Sequence, residues 1–295
     1  MADDGQELQA LNTAVASIKA EIERASPSRK QRIYEAVALA ALSAIPWIGG
    51  VFAAGLNFKI REGDVVHDSL VEKWLLEHQN KLLLLRQTLE EVVVRLDSLG
   101  DEIDSRIQSQ EYLGLLRKAF REWDKADTDE KRQLVIKLIT NAGGTRMVSD
   151  DILRLFLDWI DQYHEVHFAI IRGVYEQRND PPTRYDIYST IYGEQRMPRD
   201  DSAEADLFRL LISDLSIGRV IRQPRETDWQ GRFKRKPRGR RTTSGTLESA
   251  FEDTKQYVVT ELGSQFVHYT MNELVKRLEV SNRPPESANP NSSRD

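Results

Sequence analysis

The sequence predicts a mainly α-helical protein: a helical bundle with one long heptad helix and an N-terminal apolar hairpin, followed by a smaller unit in which three helices lead into two short strands. Three observations carry that expectation. Leu75, Leu82, Leu89 and Leu96 recur every seven residues; an uncharged run, AVALAALSAIPWIGGVFAAGLNF, fills Ala36 to Phe58; and beyond His164 the apolar blocks shorten, two of them, RVIRQ and YVV, having β-like composition.

Composition bounds the answer first. The 295 residues, 40% hydrophobic and 30% charged, suit a globular chain with one large or two modest cores. A formal net charge of -5 gives no overall pull toward nucleic acid, so such binding needs a local basic patch. With no cysteine, disulfides, thiolate metal sites and cysteine nucleophiles are excluded, which fits a reducing cytoplasm. The acidic start MADDGQELQ resembles no secretory signal and carries no lipidation motif. A cytoplasmic protein is expected, peripheral to the inner membrane if the apolar run is used there.

Residues 1–62 hold an amphipathic helix, with Leu8, Leu11, Val15, Ile18 and Ile22 on one face, and then the apolar run. Ser26 and Pro27 form a cap and first-turn pair for the helix that enters it. The run is about 23 residues, against roughly 20 needed to cross a bilayer core. Pro46, Gly49 and Gly50 interrupt it, so Ala36 to Ile45 and Val51 to Phe58 read as two short arms, neither able to span alone. Basic residues flank both ends, Arg29, Lys30 and Arg32 before, Lys59 and Arg61 after, which sets no orientation. Two readings stay open: a buried hairpin whose small residues let backbones approach, or a hairpin that leaves the fold to enter a bilayer. On the second, the membrane-contacting residues are Ile45, Pro46, Trp47, Ile48, Val51 and Phe52.

Residues 63–163 form the bundle. Leu75, Leu82, Leu89, Leu96 and Ile103 make one seam, and Leu85, Val92 and Leu99 the complementary one, about four heptads in all. His78 and Arg106 fall on seam positions near the ends, and Gly100 weakens the helix interior by roughly 1 kcal/mol. So leucine-rich a row must be covered, by shorter helices of the same chain or by a second copy in a homodimer; the helices that follow favour the first. Tyr112, Leu115, Leu116, Phe120 and Trp123 continue an apolar face, and Asp127 with Glu130 forms a capping box. The helix Lys131 to Asn141 is expected to stop at Gly143 and Gly144. Ser149, Asp150 and Asp151 cap another, through Ile152, Phe156, Trp159, Ile160 and Tyr163, that breaks near His164.

Residues 164–280 change character. Helices are expected over Val166 to Tyr175, Tyr185 to Tyr192 and, capped by Asp201 and Glu204, Ala203 to Leu215, ending at Gly218. RVIRQ, a long polar loop (224–256), YVV and a helix opened by Thr260 complete the unit. Three helices, a strand, a loop and a returning strand are the order of a winged helix, and VVTELGSQFVHYTM resembles the last strand and helix of many bacterial winged-helix proteins. Residues 281–295, rich in Ser, Pro and Asn, have too little apolar content to fold.

A winged helix reads DNA by placing cationic donors of its third helix in the major groove. Here that helix carries Glu204, Asp206 and Asp214 against Arg209, with Asp200 and Asp201 ahead of it, and would repel phosphates. The loop holds the opposite charge: Arg232, Lys234, Arg235, Lys236, Arg238, Arg240 and Arg241 within RFKRKPRGRR, able to bind phosphates or anionic lipid headgroups, or merely to solubilise the chain. His164, Glu165 and His167 have the wrong spacing for a zinc peptidase, which needs two histidines four apart. Glu252, Asp253 and Lys255 resemble the acid and lysine of a nuclease but fall in a loop. No phosphate loop or nucleophile elbow is present; NAGGTR lacks the lysine. No catalytic, metal or cofactor site is expected, and the chain reads as non-enzymatic.

The strings KLITNAGG, SDDILRLFLDWIDQYHEVHFAII and VTELGSQF, after an apolar N-terminal segment, resemble the element order of the bacterial Abi-alpha abortive-infection family. That resemblance implies a phage-defence or cell-arrest protein acting on its host through interaction or membrane damage. Three activities follow as expectations: an effector at the inner membrane that uses the hairpin and the basic loop, a DNA-binding regulator dimerised through the heptad helix, or a scaffold whose winged helix contacts protein.

Overall fold

A computed structural model of the protein describes residues 28–48, 69–193, 197–224, 230 and 249–272, giving the backbone alone for 69–77 and 79. Helix α1 (Arg29–Ala44) is capped by Ser28, whose Oγ accepts from the Gln31 N–H at 3.2 Å. The cap is therefore Ser28 rather than the expected Ser26–Pro27 pair. The helix stops because Ile45, held extended at φ -93° and ψ 111°, precedes Pro46, whose ring disfavours helical backbone in the residue before it. The first arm of the apolar run is thus a helix end, as expected; the second, Val51 to Phe58, lies outside the described residues.

Helix α2 (Ser69–Asp97) is the heptad helix. It ends sooner than the leucine repeat suggests. Gly100 sits at φ +81°, a left-handed conformation open to glycine, and a 3-10 turn (Asp101–Ile103) restarts the chain into α3 (Asp104–Ile107). Ile103 reaches the same core at 7% exposure, but from a separate turn and not as the last rung of the seam. Arg29 fastens this corner. Its guanidinium bonds the Asp97 carbonyl at 2.9 Å and carboxylate at 2.7 Å, Asp104 at 2.9 Å and the Gly100 carbonyl, a cation where the dipole of α2 favours one.

Helix α4 (Gln110–Lys125) starts at Ser109 and α5 (Asp129–Gly144) at Thr128, whose Oγ1 accepts from Lys131 N–H at 3.3 Å. Thr128 therefore takes the role expected of Asp127 with Glu130. Helix α5 ends at Gly144, as expected, with Gly143 and Gly144 as its last two residues. A Cβ on Gly143 would stand 2.6 Å from Leu96 Cδ2, so the missing side chain lets α5 press against α2. Helix α6 (Asp150–Gln162) follows Ser149. Helix α4 packs on α1 and α6, and α5 on α2, α4 and α6. Arg106, assigned by spacing to the seam, instead bonds Asp150 at 3.0 Å through Nη1 and lies over the Tyr112 ring.

Helices α7 (Glu165–Glu176), α8 (Arg184–Tyr192) and α9 (Ala203–Ile217) lead to strands β1 (Ile221–Arg222) and β2 (Val258–Val259) and to α10 (Glu261–Thr270). The strands pair antiparallel, Ile221 with Val259 and Arg222 with Val258. A bridge between Thr183 and Gln256 adds the segment before α8 on the other side of the returning strand, where Tyr257 N–H donates to the Pro182 carbonyl at 2.8 Å. Helix α10 then returns to α5, where Asn141 Nδ2 donates to the Tyr269 carbonyl at 3.0 Å and Tyr269 OH donates to the Thr145 carbonyl at 3.2 Å. Phe156 and Trp159 of α6 meet the Phe266 ring edge-on at 5.4 and 5.5 Å. The boundary expected at 163/164 is a break between helices that one continuous core crosses. Among the described residues no helix is long and apolar enough to cross a membrane.

Candidate interaction surface

Helix α9 is apolar on more sides than a core helix needs. Ala205, Phe208, Leu211, Ile212 and Leu215 are buried, while Leu207, Leu210 and Ile217 are 52%, 55% and 76% exposed. At about 100° per residue these last three fall on one outward face together with Asp206 and Asp214. Local structure fixes how that face is presented. Ser202 caps the helix by accepting from Ala205 N–H at 3.2 Å, again one residue beyond the expected Asp201. Arg209 is folded back along the helix, bonding the Asp206 carboxylate at 2.8 Å and the Asp200 carbonyl at 2.9 Å.

Asp200 ties the returning chain to the start of α9. Its Oδ1 accepts from Ser249 Oγ at 3.0 Å and Ala250 N–H at 2.9 Å. Under the helix, Tyr188, Phe208 and Phe251 form an aromatic cluster, the Phe208 and Phe251 rings stacked at 5.9 Å. The other end rests on β1 and on α7. Val220 N–H donates to the Leu215 carbonyl at 2.9 Å after a left-handed Arg219 (φ 61°), and Thr260 Oγ1 donates to the Arg219 carbonyl at 2.6 Å. The face is therefore held at both ends by side chains distant in sequence.

Below α9, the buried His167 ring stacks on Tyr163 at 5.0 Å. Its Nδ1 accepts from the His164 N–H at 3.1 Å, and its Nε2 stands 3.6 Å from the Asp214 carboxylate. With Nδ1 engaged as an acceptor, the neutral ring carries its proton on Nε2. Burial, opposed by the nearby Asp214 charge, holds the His167 pKa below the ordinary 6.5. Burial and the same carboxylate push the Tyr163 hydroxyl up to about 12. The histidine pair weighed as a metal site is thus the turn between α6 and α7, and among the described residues no cluster of metal-ligating side chains forms. In the segment weighed as a nuclease fragment, Glu252 accepts from its own neighbours, Thr254 N–H at 3.1 Å and Lys255 N–H at 3.2 Å, and builds a turn.

Of the residues expected to touch a membrane, Ile45 and Ile48 are each 2% exposed in the core. They are covered, packed into the core that the bundle helices share. Trp47 is half-buried: its Nε1–H donates to Asp124 Oδ1 at 2.7 Å, and its ring meets His78 edge-on at 4.9 Å. Pro46 is exposed, and Val51 and Phe52 lie outside the described residues. So do Arg232, Lys234, Arg235, Lys236, Arg238, Arg240 and Arg241. Leu82, Leu89 and Leu96 are fully buried in the bundle, while the Leu75 side chain is not described.

Charge counting along α9 missed its exposed leucines. A signal was present, since ADLFRLLISDLSI places Leu, Ile and Phe on more than one side of a helix, which one buried stripe does not require. Comparison with models of protein families, with curated proteins and with solved structures returns no match.

Proposed function

We propose that the chain is a non-enzymatic interaction protein in which α7 to α10 and the two strands form a winged helix that docks protein rather than DNA. The observation that carries this reading is the outward face of α9, the third helix of the unit, where Leu207, Leu210 and Ile217 stand exposed beside Asp206 and Asp214. Carboxylates repel a phosphate backbone, and exposed leucines cannot donate hydrogen bonds to base edges. The same mixture is what a protein-binding helix presents. The bridge between Thr183 and Gln256 supports the winged-helix assignment, because it puts a short strand segment between the first and second helices of the unit, paired with the returning strand. A random-sequence duplex at low salt tests the reading by mobility shift. No shift that depends on α9 is expected; a shift abolished by Leu210→Asp would place α9 in a groove and overturn it.

A second reading keeps the effector at the inner membrane, with the role in cell arrest that the Abi-alpha resemblance implies. The observation favouring it is that the end of the described apolar segment is held by the side-chain bond from Trp47 to Asp124, a contact that a trigger could break. Vesicle co-sedimentation of Asp124→Ala against the parent chain tests it: membrane binding gained by the variant supports release, and equal soluble partition of both sinks it.

A further inference from the structure

Resting on the protein-docking reading above, we propose that the α9 face receives a basic amphipathic helix of a partner protein. Leu207, Leu210 and Ile217 form a stripe along about three turns of helix, or roughly 15 Å at 1.5 Å per residue, long enough to seat the apolar side of a partner helix. Acid surrounds it. Asp206 and Asp214 lie on the face itself, their side chains 75% and 40% exposed, and Asp200, Asp201 and Glu204 lead into it. The two cations within residues 199–217 are already engaged, Arg199 with Asp201 at 2.8 Å and Arg209 with Asp200 and Asp206. The complement of such a surface is leucine or isoleucine at three- and four-residue spacing flanked by Lys or Arg, which adds ion pairs at the rim to apolar burial at the centre.

A second copy of this chain fits poorly, because a two-fold contact through α9 sets the acids of one copy against those of the other. Basic residues matter here for orientation and specificity, whereas the leucine stripe sets how long the complex lasts.

The test uses the full chain and a dye-labelled peptide of about 18 residues, an amphipathic helix of Leu and Lys, read by fluorescence anisotropy. Two peptides serve as controls: one with the same apolar face and Glu for Lys, and one of the same Leu/Lys composition scrambled to destroy amphipathicity. The Leu/Lys helix is expected to bind at least tenfold tighter than either control. Leu210→Asp is the decisive variant, since it makes the surface more acidic while removing the apolar centre. Docking predicts at least a tenfold loss of affinity, whereas mere attraction between opposite charges predicts equal or tighter binding and overturns the proposal. Asp206→Asn with Asp214→Asn is expected to weaken binding severalfold and flatten its dependence on salt. A scrambled peptide that binds as well as the helix overturns the proposal, as does self-association in sedimentation that Leu210→Asp abolishes. Failure of the peptide without any α9-dependent duplex binding removes this inference and leaves the winged-helix docking reading standing; α9-dependent duplex binding removes both.

Discussion

Helices α1 and α9 carry opposite messages in sequence and in space. Between Ala36 and Ala44, α1 has no charged residue and looks like the segment that needs lipid, while α9, with Glu204, Asp206 and Asp214, looks like an ordinary solvated helix. The fold reverses this. Val37, Ala38, Ala40 and Ala41 are at most 3% exposed, enclosed by α2 and α4, and Leu39 alone of that stretch's large side chains stands in solvent, whereas α9 presents Leu207, Leu210 and Ile217 together. Small side chains make α1 a good core element because neighbouring backbones come close to it. The large side chains of α9 exceed what its own unit covers, and the docking proposal rests on that exposure.

The sharpest way to break that contrast is a charge on each helix. Val37→Asp, placing a carboxylate where the native side chain is fully buried, is expected to cost more than about 4 kcal/mol and to unfold much of the population. Denaturant titration measures it. A loss below about 1 kcal/mol would mean that α1 opens readily, which would strengthen the membrane reading.

Next in size is the fastening of the apolar segment. Trp47→Phe keeps a ring against His78 but removes the donor to Asp124, and a loss of about 1–2 kcal/mol in chemical denaturation is expected. The same stability as the parent chain would show that packing alone holds the segment.

A smaller effect is expected under α9. Because the folded pKa of His167 is depressed, the unfolded chain binds the extra proton first, so stability is full above the ordinary histidine value and falls as pH drops through 6.5 toward the folded pKa. Protonation at Nδ1 would also end its role as acceptor for the His164 N–H. Besides Asp214, the charge facing this ring comes from His164. The half-buried His268 has a depressed pKa too, from desolvation, so the assignment requires comparing melting curves across pH for the parent chain and His167→Asn. The variant should lose part of the acid-side decline, and an unchanged decline would move its origin elsewhere.

The smallest effect on stability belongs to Leu210→Asp. With the side chain in solvent, unfolding should shift by no more than about 0.5 kcal/mol, judged by circular dichroism melts. A cost of several kcal/mol would show that Leu210 is a packing residue and that α9 has no free face.

Much of the architecture was legible because it rests on local rules. The proline at 46 ends α1 where the chain chemistry says it must, Thr260 caps the last helix as expected, donating to Arg219 and accepting from Gly263 N–H at 3.0 Å, and the two β-like strings pair. Caps shifted by two residues at Ser28 and by one at Thr128 and Ser202, because more than one residue near each start can accept from a helix N-terminus. The glycines at 143 and 144 read as a stop, and α5 does end there; their second use, the approach of α5 to α2, is a contact between segments far apart in sequence that no local rule shows.

The sequence by itself determined that this chain is mainly helical, where most helices begin and end, and that Leu82, Leu89 and Leu96 of the heptad helix are buried, since propensity, capping and periodicity act over a few residues. Only the tertiary structure decided that most of the uncharged Ala36–Ala44 part of α1 goes inside, that one core crosses from the bundle to the C-terminal unit, and that α9 keeps an apolar face outward. Those outcomes depend on which surfaces neighbouring helices cover, and burial is a property of the packed assembly that no single helix carries in its own residues.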